Sequence, residues 1–299
     1  MSSAVRQPVR AGSFYPASAR ACIEALAACR RQAARLPDEV RGARIHGGVV
    51  PHAGWTYSGA TAAVVFEALA QSAERPETVV FFATCHRGEV RVASLQRSGT
   101  WVVPTGEARI DEELAGAMLD EAQATRSLVD EPAAHRGDHA IEVNLPFLLE
   151  FLPGTRFVPV AMPHADDGSA AGEAAARAVR RLGRRAVALA STDLTHYGRN
   201  YYGWAPKGEG IAAHRWSKET NDRRYLERLM ALDAEGAFEA GEEDGSACGP
   251  AAGAAASAFA KAHGATRGVL LEHITSWERA KHEQGEPTDF VGYAALVFV

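Results

Sequence analysis

The stretch Gly47–Gly59, GGVVPHAGWTYSG, decides how this chain is read. A short apolar run stops at Pro51 and delivers His52 into a turn framed by Gly54. In open α/β sheets ligands gather outside the carboxyl ends of parallel strands, so a histidine released there can face a site. The pattern recurs. Thr78–Phe82 (TVVFF) runs into Ala83, Thr84, Cys85, His86 and Gly88, and Ala186–Ala190 (AVALA) runs into Ser191, Thr192, Asp193, Leu194, Thr195, His196 and Tyr197. A single histidine after a strand is ordinarily a loop residue; three in one chain point to a shared site.

Outward from these strand ends, helical periodicity alternates with apolar runs. Helices are predicted over Ala19–Leu36, Ala60–Gln71 (capped by Ser58 or Gly59), Asp111–Ala122, from Asp138 towards Phe151, and over Ser169–Leu182, Ala212–Leu232, Ala234–Ala240 and Pro250–His263. Further strands are predicted near Glu89–Ser94 and over Arg156–Met162, Gly268–Ile274 and Val291–Val299. Tyr197–Gly210 has no period and reads as a long loop of the kind that covers a site. This alternation predicts one α/β domain over residues 1–299, with a mostly parallel central sheet covered by helices on both faces.

Composition narrows the function. The 299 residues are 46% hydrophobic and carry a formal charge of −5. No basic face suits nucleic acid, no apolar run is long enough to span a bilayer, and no signal-like segment opens the chain, so a cytoplasmic protein is expected. The four cysteines, Cys22, Cys29, Cys85 and Cys248, fit neither a zinc knuckle nor a disulfide framework. Cys22 and Cys29 read as packing residues on one helix face.

Cys248 precedes Gly249 and Pro250, a cap and first-turn pair, and a thiol at a helix N-terminus is favoured as thiolate. With His52 and His86 it makes a two-histidine, one-thiolate set that suits Fe(II) or catalytic zinc, unless it is a small packing residue. His196 can act as acid or base, with Asp193 orienting it or holding a water; equally, Asp193 can cap a turn beside an exposed His196. His139 and Glu142, one helical turn apart, either reach the same cleft or form a helix-start hydrogen bond. Trp55, Tyr57 and Tyr197 can stack on a planar substrate or pack in the core. His46, His135, His164, His214, His263, His273 and His282 lack such framing and read as surface or structural.

The motifs PHAGWTYSG, HAIEVNLPFL, STDLTHYG, ACGPAAG and VGYAALVF, with VRAGSFYPAS near the start, resemble the Memo family, also named AmmeMemoRadiSam system protein B. That resemblance covers nearly the whole chain. It implies a fold similar to the catalytic subunit of class III extradiol dioxygenases, non-haem Fe(II) enzymes that cleave catechol rings with O2. By resemblance His52, His86 and Cys248 match the metal positions, His196 the acid-base histidine and Asp193 a polar neighbour in the pocket.

The resemblance implies Fe(II) as cofactor, with Zn or Cu as alternatives, a small catechol-like or chelating substrate, and association with a radical-SAM protein. Two departures stand out: Ala83–His86 reads ATCH where the family shows G-P-S-H or G-P-N-H, and Trp277, Arg279 and Lys281 replace small residues after Ile274. The expected function is a metal-dependent, dioxygenase-like oxidoreductase. The alternatives are a zinc hydrolase on the same ligands and a non-enzymatic binding module using the same pocket.

Overall fold

The computed structural model describes residues 4–86, 90–164, 166–201, 203–280 and 285–299. Gly88, the Glu89 end of one predicted strand, Lys281 and His282 lie outside the described residues. Four parallel strands form the centre of the main sheet, in the spatial order Gly47–Val50, Ala186–Ser191, Thr78–Thr84, Arg156–Met162. They are buried almost throughout, as parallel strands covered on both faces must be.

Antiparallel strands extend this centre on both sides. Phe290–Phe298 pairs with Gly47–Val50, with Gly268–Thr275 and, at its start, with His196–Tyr197. Ala93–Leu95 pairs antiparallel with Arg156–Met162 and carries Leu128–Asp130 alongside. The α/β class matches the expectation, and the parallel part is its middle. A separate three-stranded sheet, Val5–Arg6, Thr100–Val103 and Gly106–Arg109, has too few residues per strand for a visible pattern and was not anticipated.

Helices cover both faces. Trp55–Ala70 lies on one face, with Ala19–Gln32 and Leu145–Phe151 packed on it; Pro250–Ala262 lies on the other, against Ser169–Leu182 and Ala234–Asp244. The double glycine of the opening stretch has a steric cause. A Cβ on Gly47 would collide with the carbonyl of Ala188, and one on Gly48 with that of Leu296, so this strand fits between its neighbours only without side chains at those positions.

The structure corrects several predicted boundaries. The second helix begins at Trp55, not Ala60, with Gly54 as its cap. Ser58 turns its hydroxyl back to the Ala53 carbonyl, and a Cβ on Gly59 would lie 2.6 Å from Cys29 Sγ, so these small residues admit the crossing first helix. From Asp138 no continuous helix forms: a 3₁₀ turn over Glu142–Asn144 precedes Leu145–Phe151. The long helix predicted over Ala212–Leu232 is three pieces, Ile211–Trp216, a π-helical turn Ser217–Asp222 and Arg223–Met230. No helix among the described residues is long and apolar enough to cross a membrane.

Candidate metal centre

Register places the site. Ser191, last residue of its strand, pairs with Val50 on one side and Ala83 on the other, so the residues just beyond these three positions emerge at one level. They are His52, Cys85–His86 and Thr192–His196. The start of the Pro250–Ala262 helix closes the ring, because Cys248 N donates to the Asp193 carbonyl at 3.1 Å and Gly249 N to Thr192 Oγ1 at 2.9 Å. One nitrogen from each of His52 and His86 and the Cys248 sulfur lie within 4.8 Å of one another.

His52 is buried and its tautomer is fixed by its neighbours. Ser191 Oγ donates to the Ala140 carbonyl at 2.6 Å, which leaves it an acceptor towards His52 Nδ1 at 3.0 Å. Nδ1 therefore carries the proton and Nε2 presents a lone pair, 3.3 Å from Cys248 Sγ. Asn144 Nδ2 also points at Ser191 Oγ, at 3.4 Å. Burial, then the charges of His86 and His139, push the His52 pKa well down, so the ring is held neutral. A neutral imidazole with its far nitrogen bonded is the form that ligates metal.

His86 is held differently. Its backbone N donates to Asp138 Oδ2 at 2.6 Å, and its Nδ1 lies 3.5 Å from the same oxygen. Burial lowers its pKa, but hydrogen bonding to Asp138 and Cys248 outweighs that and pushes it up to about 10. Burial would likewise raise the Asp138 carboxyl, yet bonds from His86 and the Ala140 amide hold it well below the usual range. Cys248 Sγ accepts from the Asp193 amide at 3.3 Å and sits at the positive end of the helix that Gly249 caps and Pro250 opens. Three donors of this kind, one with its lone pair already directed, fit a transition-metal ion.

The other predicted residues divide. Asp193 is buried, accepts from His52 N at 2.8 Å and has its pKa raised by burial. His139 stacks on His86, ring centroids 4.8 Å apart, and with His86 and Asp138 forms a second group of converging donors. His196 gives its Nδ1 proton to the Leu194 carbonyl at 3.1 Å, so Nε2 is the nitrogen available to exchange a proton. Tyr57 is partly exposed.

Three substrate-binding expectations are corrected. Glu142 is fully buried and accepts from the amides of Val9 and Arg10, from Tyr15 Oη and from Arg6, so it anchors the N-terminal segment and does not reach the cleft. Trp55 packs between Tyr15 and Phe147 and gives its indole proton to the Val143 carbonyl. Tyr197 lies parallel on Phe290, wholly buried, with its hydroxyl on the Gly208 carbonyl.

A cavity of about 610 Å³ opens on the three candidate ligands' side of the sheet, lined by His86, Cys248, His196, Cys85 and Thr84, and by His164, Asn200, Tyr201 and Trp204. The long loop after Tyr197 thus supplies much of its wall. His164, expected to be surface or structural, carries no motif; it follows the Arg156–Met162 strand, and that strand-end position is its signal. His46, His135 and His214 are buried, and His273 is bonded to Asp222. Asp138 and Ser191 carry no sequence signal as partners of the ligands, because a ligand's hydrogen-bonding partner leaves no spacing in sequence.

Comparison with known proteins bears on family and fold. The family model described as Memo-like protein matches residues 6–297. A MEMO1 family protein of Methanopyrus kandleri is 36% identical, the match covering 98% of each chain. A MEMO1 family protein of Methanothermobacter thermautotrophicus is 34% identical over 98% of this chain and 99% of the relative. Among solved structures, an uncharacterised protein of Escherichia coli K12 superposes with a TM-score of 0.52 at 13% identity, covering 85% of this chain and all of the other, a likeness of fold.

Proposed function

This chain belongs to the Memo-like family, and from that premise we propose that it is a non-haem iron oxidoreductase, dioxygenase-like, acting on a small catechol-like or otherwise chelating substrate. His52, His86 and Cys248 would hold Fe(II). The observation that carries the reading is the Ser191 bond that fixes His52 with an unprotonated Nε2 facing the Cys248 sulfur.

When bound, Fe(II) supplies the one-electron chemistry towards O2 that protein side chains lack. The chain's own residues do the rest. Asp138 orients His86, and Ser191 orients His52. His196, protonated on Nδ1 towards Leu194, takes up or releases a proton at Nε2. His139 lies against His86 as a second imidazole beside the ligand set. The aromatic rings of Tyr201 and Trp204 line the cavity in which a planar substrate would lie. A shared fold does not transfer a reaction, so the substrate assignment rests on the donor set and cavity.

The test is the metal content of protein purified without oxygen, for the wild type and for Cys248→Ala and His86→Ala, followed by nitric oxide and electron paramagnetic resonance. Near-stoichiometric iron, lost in both variants and giving an iron-nitrosyl signal in the wild type, is the expected result. Zinc would point to hydrolysis by the same ligands. A folded protein with no metal would overturn both and leave a binding role for the pocket.

A further inference from the structure

The loop Thr192–His196 is tied down on every side, and one tie leads away from the metal ligands. The Leu194–Thr195 peptide uses both its polar ends. Its carbonyl accepts the His196 Nδ1 proton at 3.1 Å, and its N–H, on Thr195, donates to Asp222 Oδ1 at 3.1 Å. A planar trans peptide turns these groups in opposite directions, so one rigid unit joins the Asp222 carboxylate to the His196 ring.

Asp222 is built for that position. It ends the π-helical turn Ser217–Asp222, a local departure from α-helical geometry of a kind concentrated at functional sites. The residue is fully buried. Its Oδ1 also takes the Thr195 hydroxyl at 2.5 Å, and its Oδ2 takes the Nε2 proton of His273 at 2.8 Å. Asn221, the preceding residue, donates to Thr195 Oγ1 at 3.0 Å. The opposite side of the loop is fixed by Leu194 N to the Gly292 carbonyl at 2.8 Å and Gly292 N to the Thr195 carbonyl at 3.0 Å. Gly292 has no room for a side chain, because a Cβ there would collide with Asp222.

We propose that Asp222 is a positioning residue for His196, acting through the Leu194–Thr195 peptide. A carboxylate on the N–H end polarises the peptide and strengthens its carbonyl as an acceptor. This holds the His196 proton on Nδ1 and so keeps the lone pair on Nε2, as a carboxylate does for a histidine it touches directly. The functional weight of this role rests on the reading of His196 as the proton carrier.

The test uses 15N-labelled full-length protein without added metal, comparing the wild type with Asp222→Asn, Asp222→Ala and Thr195→Val by nuclear magnetic resonance. The wild type should show His196 protonated on Nδ1 and a downfield, slowly exchanging Thr195 amide. Asp222→Asn, nearly isosteric and therefore expected to fold, should move the Thr195 amide upfield and shift the His196 ring nitrogens with it. Asp222→Ala should lose the single tautomer, whereas Thr195→Val, which keeps the N–H, should retain it. His196 signals that stay fixed in Asp222→Asn while the Thr195 amide moves would overturn the relay, as would a wild-type tautomer in folded Asp222→Ala. None of these readouts needs metal or substrate, so failure of the iron chemistry would leave this result standing.

Discussion

Ser191 Oγ lies 3.0 Å from His52 Nδ1 and has already given its own proton to the Ala140 carbonyl, so it holds the imidazole with Nε2 bare. Ser191→Ala removes that restraint without touching a candidate ligand. Its metal affinity should fall about 10- to 100-fold, the usual scale for losing such a partner. The fold should lose about 1–3 kcal/mol, because the deleted hydroxyl serves His52, Asn144 and the Ala140 carbonyl and leaves buried partners unpaired. Competition with a chelator measures the first and urea denaturation the second; unchanged affinity would detach Ser191 from the site.

The four thiols should react in a defined order. Cys22 and Cys29 are buried and their pKa values are pushed up by that burial, to about 12 and about 11. Cys85 is also buried, whereas Cys248 is partly exposed at the cavity wall. Iodoacetamide on native, metal-free protein should label Cys248 first, and prior loading with Fe(II) or Zn2+ should suppress that labelling. Peptide mass spectrometry reads both; faster labelling at Cys22 or Cys29 would contradict the packing described.

His86 sets a pH dependence on the metal-free protein. Its pKa is raised from 6.5 to about 10, because bonds to Asp138 and Cys248 outweigh the opposing effect of burial. Its contribution to stability is therefore fully present below about 6.5 and is lost as pH rises through about 10. The urea midpoint of metal-free protein should fall across that interval, and metal affinity should rise across it as the competing proton leaves. Asp138 acts with the opposite sign: its pKa is lowered, so its share is lost as pH falls below the usual carboxylate value of 3.8. His86→Gln should flatten the alkaline limb and also weaken the acid one, because the His86 side chain is among the groups that hold Asp138 low.

The sheet's centre and the three candidate ligands were legible because each depends on a run of adjacent residues. A buried parallel strand is a continuous apolar segment, and a ligand just past its end is the first polar residue of the next loop. Tyr197 and Glu142 misled for the same reason: polar character near a strand end or helix start does not say which way a side chain turns. Tyr197 turned to Phe290 and Glu142 to Val9, each a partner more than ninety residues away in the chain. The π-helical turn that ends at Asp222 and the short strands around Thr100–Val103 leave no period to detect.

Glu142 gives the strongest stability prediction. Its fully buried carboxylate pairs with Arg6 at 2.8 Å, with the Arg6 side chain 12% exposed, and accepts from two backbone amides and Tyr15 Oη. Removing one member of a buried pair strands the other, and Glu142→Ala should cost about 3–5 kcal/mol. The loss should appear first around residues 4–16, because these donors all belong to that segment, and there Phe14 packs edge-on against His139 with ring centroids 4.7 Å apart. Hydrogen exchange should show the N-terminal segment opening while the Thr78–Thr84 strand stays protected. Freed of Phe14, His139 would lose one of the rings packed against it, although His52, His86 and Cys248 would keep their places. Metal affinity measured where Glu142→Ala remains folded should therefore match the wild type, and a parallel loss of affinity would show that the N-terminal segment belongs to the site itself.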